Sequence, residues 1–133
     1  MKLASLNEGR DGALVVVSED LTKATRADRV ARTLQSALDN WAAVEPELRR
    51  LSDQLESGGI PVAIDVSDPN VLAAPLPRAF NWSDGSVYLN HMELVRKARG
   101  AEMPSSFLDD PLMYQGGSDD FQGCRAPILM LDD

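Results

Sequence analysis

Lys2-Leu3-Ala4-Ser5-Leu6 and Ala13-Leu14-Val15-Val16-Val17-Ser18 are two short β-prone runs around the loop Asn7-Glu8-Gly9-Arg10-Asp11-Gly12. Both glycines of that loop can take positive φ, so the spacing predicts an antiparallel hairpin. Leu3 and Leu14 to Val17 supply its buried surface. A half-buried strand alternates apolar and polar residues. The unbroken apolar run Leu14 to Val17 instead predicts a second strand covered on both faces.

From Asp28 the period becomes helical, with Val30, Leu34, Leu38 and Trp41 on one side and Arg29, Arg32, Gln35, Asp39 and Asn40 on the other. Pro46 cannot donate within a helix but suits a first turn, which predicts one helix ending near Ala43 and another beginning at Glu45 or Pro46. Leu48, Leu51 and Leu55 form the stripe of the second helix, and Gly58-Gly59 stops it. Both stripes read as core.

Pro61, Pro69, Pro75 and Pro77 remove backbone donors from the stretch between Ile60 and Arg78, which predicts an extended linker without a long regular element. Asn81 to Ser86 is turn-rich. It leads into a third helix over Val87 to Arg99, with Asp84 or Ser86 as N-cap, a basic last turn and Gly100 as its stop. Tyr88, His91 and Val95 lie along one side of that helix, with Asp84 a turn before them. After Gly100 no helical period survives, and Arg125 to Leu131 reads as a strand. The fold class is therefore α+β: an N-terminal β-hairpin with two covering helices, an extended Pro-rich linker, a third helix, and irregular structure leading into a strand.

The chain has 133 residues, room for about one domain at the usual ~100 to 200 residues each. Hydrophobic residues make up 44% and charged residues 26%, which fits a packed globular chain, while 5% aromatics makes the core aliphatic. Thirteen basic against 21 acidic side chains give a net charge of −8, a field that repels phosphate backbones and anionic lipid, so nucleic acid is not an expected partner. Cys124 is the single cysteine and has no internal disulfide partner. No apolar run approaches the roughly 18 residues of a membrane helix, and the N-terminus lacks a secretory apolar region. The cytoplasm is the expected compartment.

One histidine and one cysteine exclude an ordinary zinc site. There is no phosphate-binding glycine loop and no nucleophile elbow. What remains is Asp84 with His91, whose spacing lets them face a common space. The plainer reading of the same pair is a helix-capping aspartate and a structural or exposed histidine.

The runs Asn81-Trp82-Ser83-Asp84-Gly85-Ser86-Val87-Tyr88-Leu89-Asn90-His91, Val95-Arg96-Lys97-Ala98-Arg99-Gly100-Ala101 and Asp110-Pro111-Leu112-Met113-Tyr114-Gln115-Gly116-Gly117 resemble the front part of bacterial fumarylacetoacetate hydrolase family proteins. The opening Met1 to Leu6 with Gly9-Arg10-Asp11-Gly12 is similar too. The resemblance implies an N-terminal domain over residues 1–76 and, over 77–133, the incomplete beginning of a larger β-rich catalytic domain.

It also implies a chemistry. Asp84 matches a carboxylate ligand of a divalent cation, Mg²⁺ or Ca²⁺, and His91 matches the general base that activates water to split a carbon–carbon bond of a 1,3-diketo acid, as in tyrosine degradation. Tyr114 matches a substrate-contacting tyrosine. Arg99 is near the place of a substrate-binding arginine, one residue out of register with the pattern of the animal enzymes, and Ser86 stands where those enzymes carry a tyrosine. The remaining ligands, a Glu-x-Glu pair and a further Asp, and the acid that orients the histidine are expected beyond Asp133.

Such a cation takes about six oxygens, so this chain alone is expected to hold no metal and to be inactive. The complete enzyme is expected to be a homodimer with a small-molecule diketo acid substrate and no membrane partner. The alternative is a complete, non-catalytic interaction or dimerisation module whose terminal strand adds to a partner's sheet. Within the superfamily, a hydratase or decarboxylase of related keto acids shares the same logic.

Overall fold

The computed structural model describes residues 1–60, 63–110 and 112–131, so the positions of Pro61 and Pro111 lie outside the described residues. The chain forms two compact units. One holds Met1–Ala79 with the segment from Asp119, and the other is Phe80–Ser118.

In the first unit, strands β1 (Lys2–Leu6) and β2 (Ala13–Val17) pair antiparallel from Lys2 opposite Val17 to Leu6 opposite Ala13, which is the expected hairpin. Gly9 and Gly12 take φ of 66° and 69°, and at Gly12 a Cβ would also stand 2.8 Å from Ser5 Cβ. Two strands not foreseen extend the sheet, β3 (Lys23–Arg26) and β4 (Ile64–Asp65), in the order β1-β2-β3-β4 with every neighbour antiparallel. Lys-Ala-Thr-Arg buries only Ala24, so β3 carries almost no apolar signal.

The apolar run of β2 is buried on both faces. Leu14 and Val16 pack with Ala27, Ala31, Ala37, Val44 and Leu48 on the helical side. Val15 and Val17 pack with Leu6, Ala24 and Val66 on the other. The helices are α1 (Leu34–Asp39) and α2 (Trp41–Glu56), and their boundaries correct the periodicity reading. Thr33 and Ser36 form a reciprocal capping box, with the Ser36 amide donating to Thr33 Oγ1 at 3.1 Å, which starts α1 at Leu34 rather than Asp28. Asn40 breaks the chain between the helices. The stripe from Val30 to Trp41 therefore does not run continuously, and Leu38 and Trp41 are 46% and 37% exposed.

Pro46 does not open a helix; it lies inside α2. It leaves the Ala42 carbonyl without its helical donor, a local loss outweighed by burial of Val44, Leu48, Ser52 and Leu55. Gly58, with φ 72°, ends α2 as expected. The Gly59 amide donates to the Gln54 carbonyl at 2.8 Å and the Gly58 amide to the Leu55 carbonyl at 3.2 Å, a Schellman motif.

The proline-rich segment is not a free linker. From β4 it runs as a strap across the second face of the sheet, burying Val66 and Ala74. It then pairs along the outer edge of β1, where Leu72 bridges Leu6, the Ala73 amide donates to the Ser5 carbonyl at 2.9 Å and the Asn7 amide to the Val71 carbonyl at 2.9 Å. The buried Ser5 hydroxyl donates to the Pro75 carbonyl at 2.7 Å. Sequence composition reports the missing donors of the prolines but not the sheet edge that the remaining amides find.

The chain leaves this unit after Ala79 and returns at Asp119. Exit and return lie side by side, the Phe121 amide donating to the Pro77 carbonyl at 2.9 Å and the Asp119 amide to the Ala79 carbonyl at 3.1 Å. Arg78 holds Asp11 with two hydrogen bonds of 2.6 and 2.7 Å. The expected strand over Arg125 to Leu131 does not form. Ile128 to Leu131 are between 84% and 96% exposed, for among the described residues nothing pairs with them.

In the second unit, strands β5 (Ser83–Ser86) and β6 (Leu112–Gln115) pair antiparallel, Ser83 opposite Gln115 and Ser86 opposite Leu112. Helix α3 (Leu89–Ala98) lies between them in sequence. This is the expected third helix with a later start. Its N-cap is Tyr88 and no described side chain caps it, so neither Asp84 nor Ser86 is a cap; both lie on β5. Ser-Asp-Gly-Ser has the composition of a turn, and only its pairing with β6 makes it a strand.

Candidate functional site

The second unit has a cleft of about 560 Å³ between the β5–β6 ribbon and α3. Residues directly opposite one another in an antiparallel pair share a face. The pairs Asp84–Tyr114 and Ser86–Leu112 therefore present four side chains on the same face. All four line the cleft. Across from them, His91, Met92, Val95, Arg96 and Arg99 line it from α3 and its C-cap. Their spacing of one, three and four residues is that of one helical face. The face begins at His91; Tyr88 is not among the lining residues and stands exposed at the N-cap.

All four residues singled out from the sequence, Asp84, His91, Arg99 and Tyr114, thus border one space. Each is exposed. Among the described residues, neither the Asp84 carboxylate nor the His91 imidazole has a hydrogen-bonding partner, so the acid does not tie down a helix end and the ring is not wedged among aliphatics. Tyr114 is positioned by Trp82, the ring centroids 5.4 Å apart and the planes tilted by 52°.

The charge in the cleft is one carboxylate, Asp84, against two guanidinia, Arg96 and Arg99, at the C-terminal turn of α3, where the helix dipole favours cations. Arg96 was not singled out beforehand. Its signal was available in the helical face that Met92 shares with it four residues earlier, one position along from the His91–Val95–Arg99 row. The exposed Asp84 carboxylate suits a hard divalent cation. Among the described residues no three His, Cys, Asp or Glu side chains come together to complete a metal site. Asp84 would supply one or two of about six oxygens.

Among the described residues no helix is long and apolar enough to cross a membrane. Compared with known families, residues 1–78 match the one described as fumarylacetoacetase N-terminal domain 2. That span contains β1 to β4, both helices of the first unit and the strap, and stops short of the cleft. No curated protein matches the chain.

Proposed function

Because the chain belongs to the fumarylacetoacetase family through its N-terminal domain 2, we propose that Asp84 and His91 are its contribution to a site that hydrolyses a carbon–carbon bond of a 1,3-diketo acid. The observation that carries this reading is the single cleft bordered by Asp84, His91, Arg99 and Tyr114. The domain division follows the same reading, an N-terminal domain over 1–76 and the entrance to a catalytic domain from 77.

In this reading Arg99 and Tyr114 hold the substrate's oxygens, the guanidinium offering two parallel N–H donors to a carboxylate. The His91 imidazole takes a proton from water, whose oxygen adds to the distal carbonyl carbon. The bond from that carbon to the central methylene breaks, its electron pair passing to the methylene, which recovers the proton from His91. The products are a carboxylic acid and a 2-keto acid. A divalent cation, Mg²⁺ or Ca²⁺, held in part by Asp84 would supply Lewis-acid polarisation of the diketo oxygens.

With a single carboxylate in the cleft, the remaining oxygen donors come from outside the described residues, and the 133-residue chain is expected to be inactive by itself.

The test is Mn²⁺, a paramagnetic stand-in whose brief visits to a lone carboxylate broaden nearby NMR signals without the stable binding that the further donors would give, added at substoichiometric amounts while the spectrum is followed. His91 and Tyr114 resonances should broaden, and Asp84→Asn should abolish the effect. Broadening that survives Asp84→Asn, or that centres on Asp109 and Asp110, would overturn the assignment. Turnover of an acylpyruvate by the chain alone would overturn the incomplete ligand set.

A further inference from the structure

The cleft is not polar throughout, and the division between its charged and apolar parts speaks to the substrate. Met92, Val95 and Leu112 line it together with Arg96 and Arg99. Met92 is 5% exposed, and Val95 and Arg96 are half-buried. Leu112 stands two residues from Tyr114 on the same face of β6, about 7 Å along the strand. The two guanidinia are three residues apart on α3 and so close enough to converge on one carboxylate. Among the described residues neither has an ion-pair partner.

We infer that the cleft takes a keto acid with one carboxylate, held by Arg96 and Arg99, and an unbranched aliphatic arm laid along Met92, Val95 and Leu112. This rests on the keto-acid reading above and specifies it: the acyl group is apolar rather than a second carboxylate. A charged arm in the same place would lose part of its hydration against Met92, Val95 and Leu112, the last 40% exposed. An aliphatic arm gains by burial, and about two buried methylenes correspond to roughly tenfold in affinity.

The full 133-residue chain with ¹³C-methyl methionine allows a test that needs no turnover. Pyruvate, 2-oxoglutarate and 2-oxooctanoate are titrated separately while the Met92 methyl is followed, with Met130, in the exposed run far along the sequence, as a control for adsorption. We expect 2-oxooctanoate to move Met92 at about tenfold lower concentration than the other two and to leave Met130 in place. Val95→Thr should narrow that gap, and Arg96→Gln should weaken all three ligands.

Equal half-saturation for the three ligands, or tighter binding of 2-oxoglutarate, overturns the aliphatic arm while leaving the keto-acid reading in force. Movement of Met130 together with Met92 also overturns it, because the tail is then simply adsorbing. If none of the three moves Met92, the keto-acid reading falls with it.

Discussion

Gly12 sits where two requirements meet. Its φ of 69° lies in the left-handed region, and a methyl group there would press on Ser5 Cβ, whose hydroxyl anchors the strap through Pro75. Gly12→Ala should therefore cost about 1–3 kcal/mol in urea unfolding, whereas Gly9, with open space around it, should respond only to its φ. Asp20 ties the turn between β2 and β3. It accepts from Ser18 Oγ at 2.6 Å, the Thr22 amide at 3.0 Å and Thr22 Oγ1 at 2.8 Å, and the Ser18 hydroxyl foremost, then Thr22, lowers its pKa from 3.8 to about 2. A depressed folded-state pKa means that the native state favours the charged form. The contribution of Asp20 is thus complete above about pH 4 and disappears as the pH falls through about 2. Acid-unfolding curves of Asp20→Asn should lose that part of their slope, and an unchanged curve would count against the turn's role. The cleft is bordered by Asp84 and His91, which spacing paired, and by Arg99 and Tyr114, which only the family resemblance pointed to. What single residues could not report was the setting of Asp84, since an aspartate before a helix usually caps it and this one lies on a strand.

Elements were legible in proportion to their internal period. The hairpin and α2 announce themselves, the first by its loop glycines and apolar run, the second by Leu48, Leu51 and Leu55 ahead of Gly58. The strands β3 to β6 are two to four residues long and mostly polar, and β4, β5 and β6 are made by partners distant in sequence, as when Asp84 meets Tyr114. No local pattern encodes that pairing. The helix boundaries failed for a different reason. A stripe of apolar residues says which face is buried only while the axis continues, and Asn40 interrupts it. This distinction predicts a contrast between two leucines. Leu48 is fully buried between α2 and the sheet, so Leu48→Ala should destabilise by about 2–5 kcal/mol in denaturant titration. Leu38 belonged to the same kind of predicted stripe but is nearly half exposed, and Leu38→Ala should stay within about 0.5 kcal/mol.

At the level of the molecule, composition did not report that the chain returns to the first unit at Asp119, because that return depends on backbone bonds to Pro77 and Ala79. Those bonds hold exit and return together within the first unit. Replacing residues 80–118 by a short Gly-Ser loop should therefore leave the first unit folded, with a cooperative thermal transition close to that of the parent; loss of the transition would mean that its core needs more than Leu14, Val16, Leu48 and their neighbours.

The strap along β1 has a consequence for how copies of this protein behave in a crowded solution. Exposed strand edges invite another chain to join them, the first step toward amyloid-like stacking. Here one border of the sheet already has its amides and carbonyls engaged by Val71 to Ala73, and the opposite border is a two-residue strand ending in the charge of Asp65. The most apolar sheet in the molecule thus offers almost no template for templated growth.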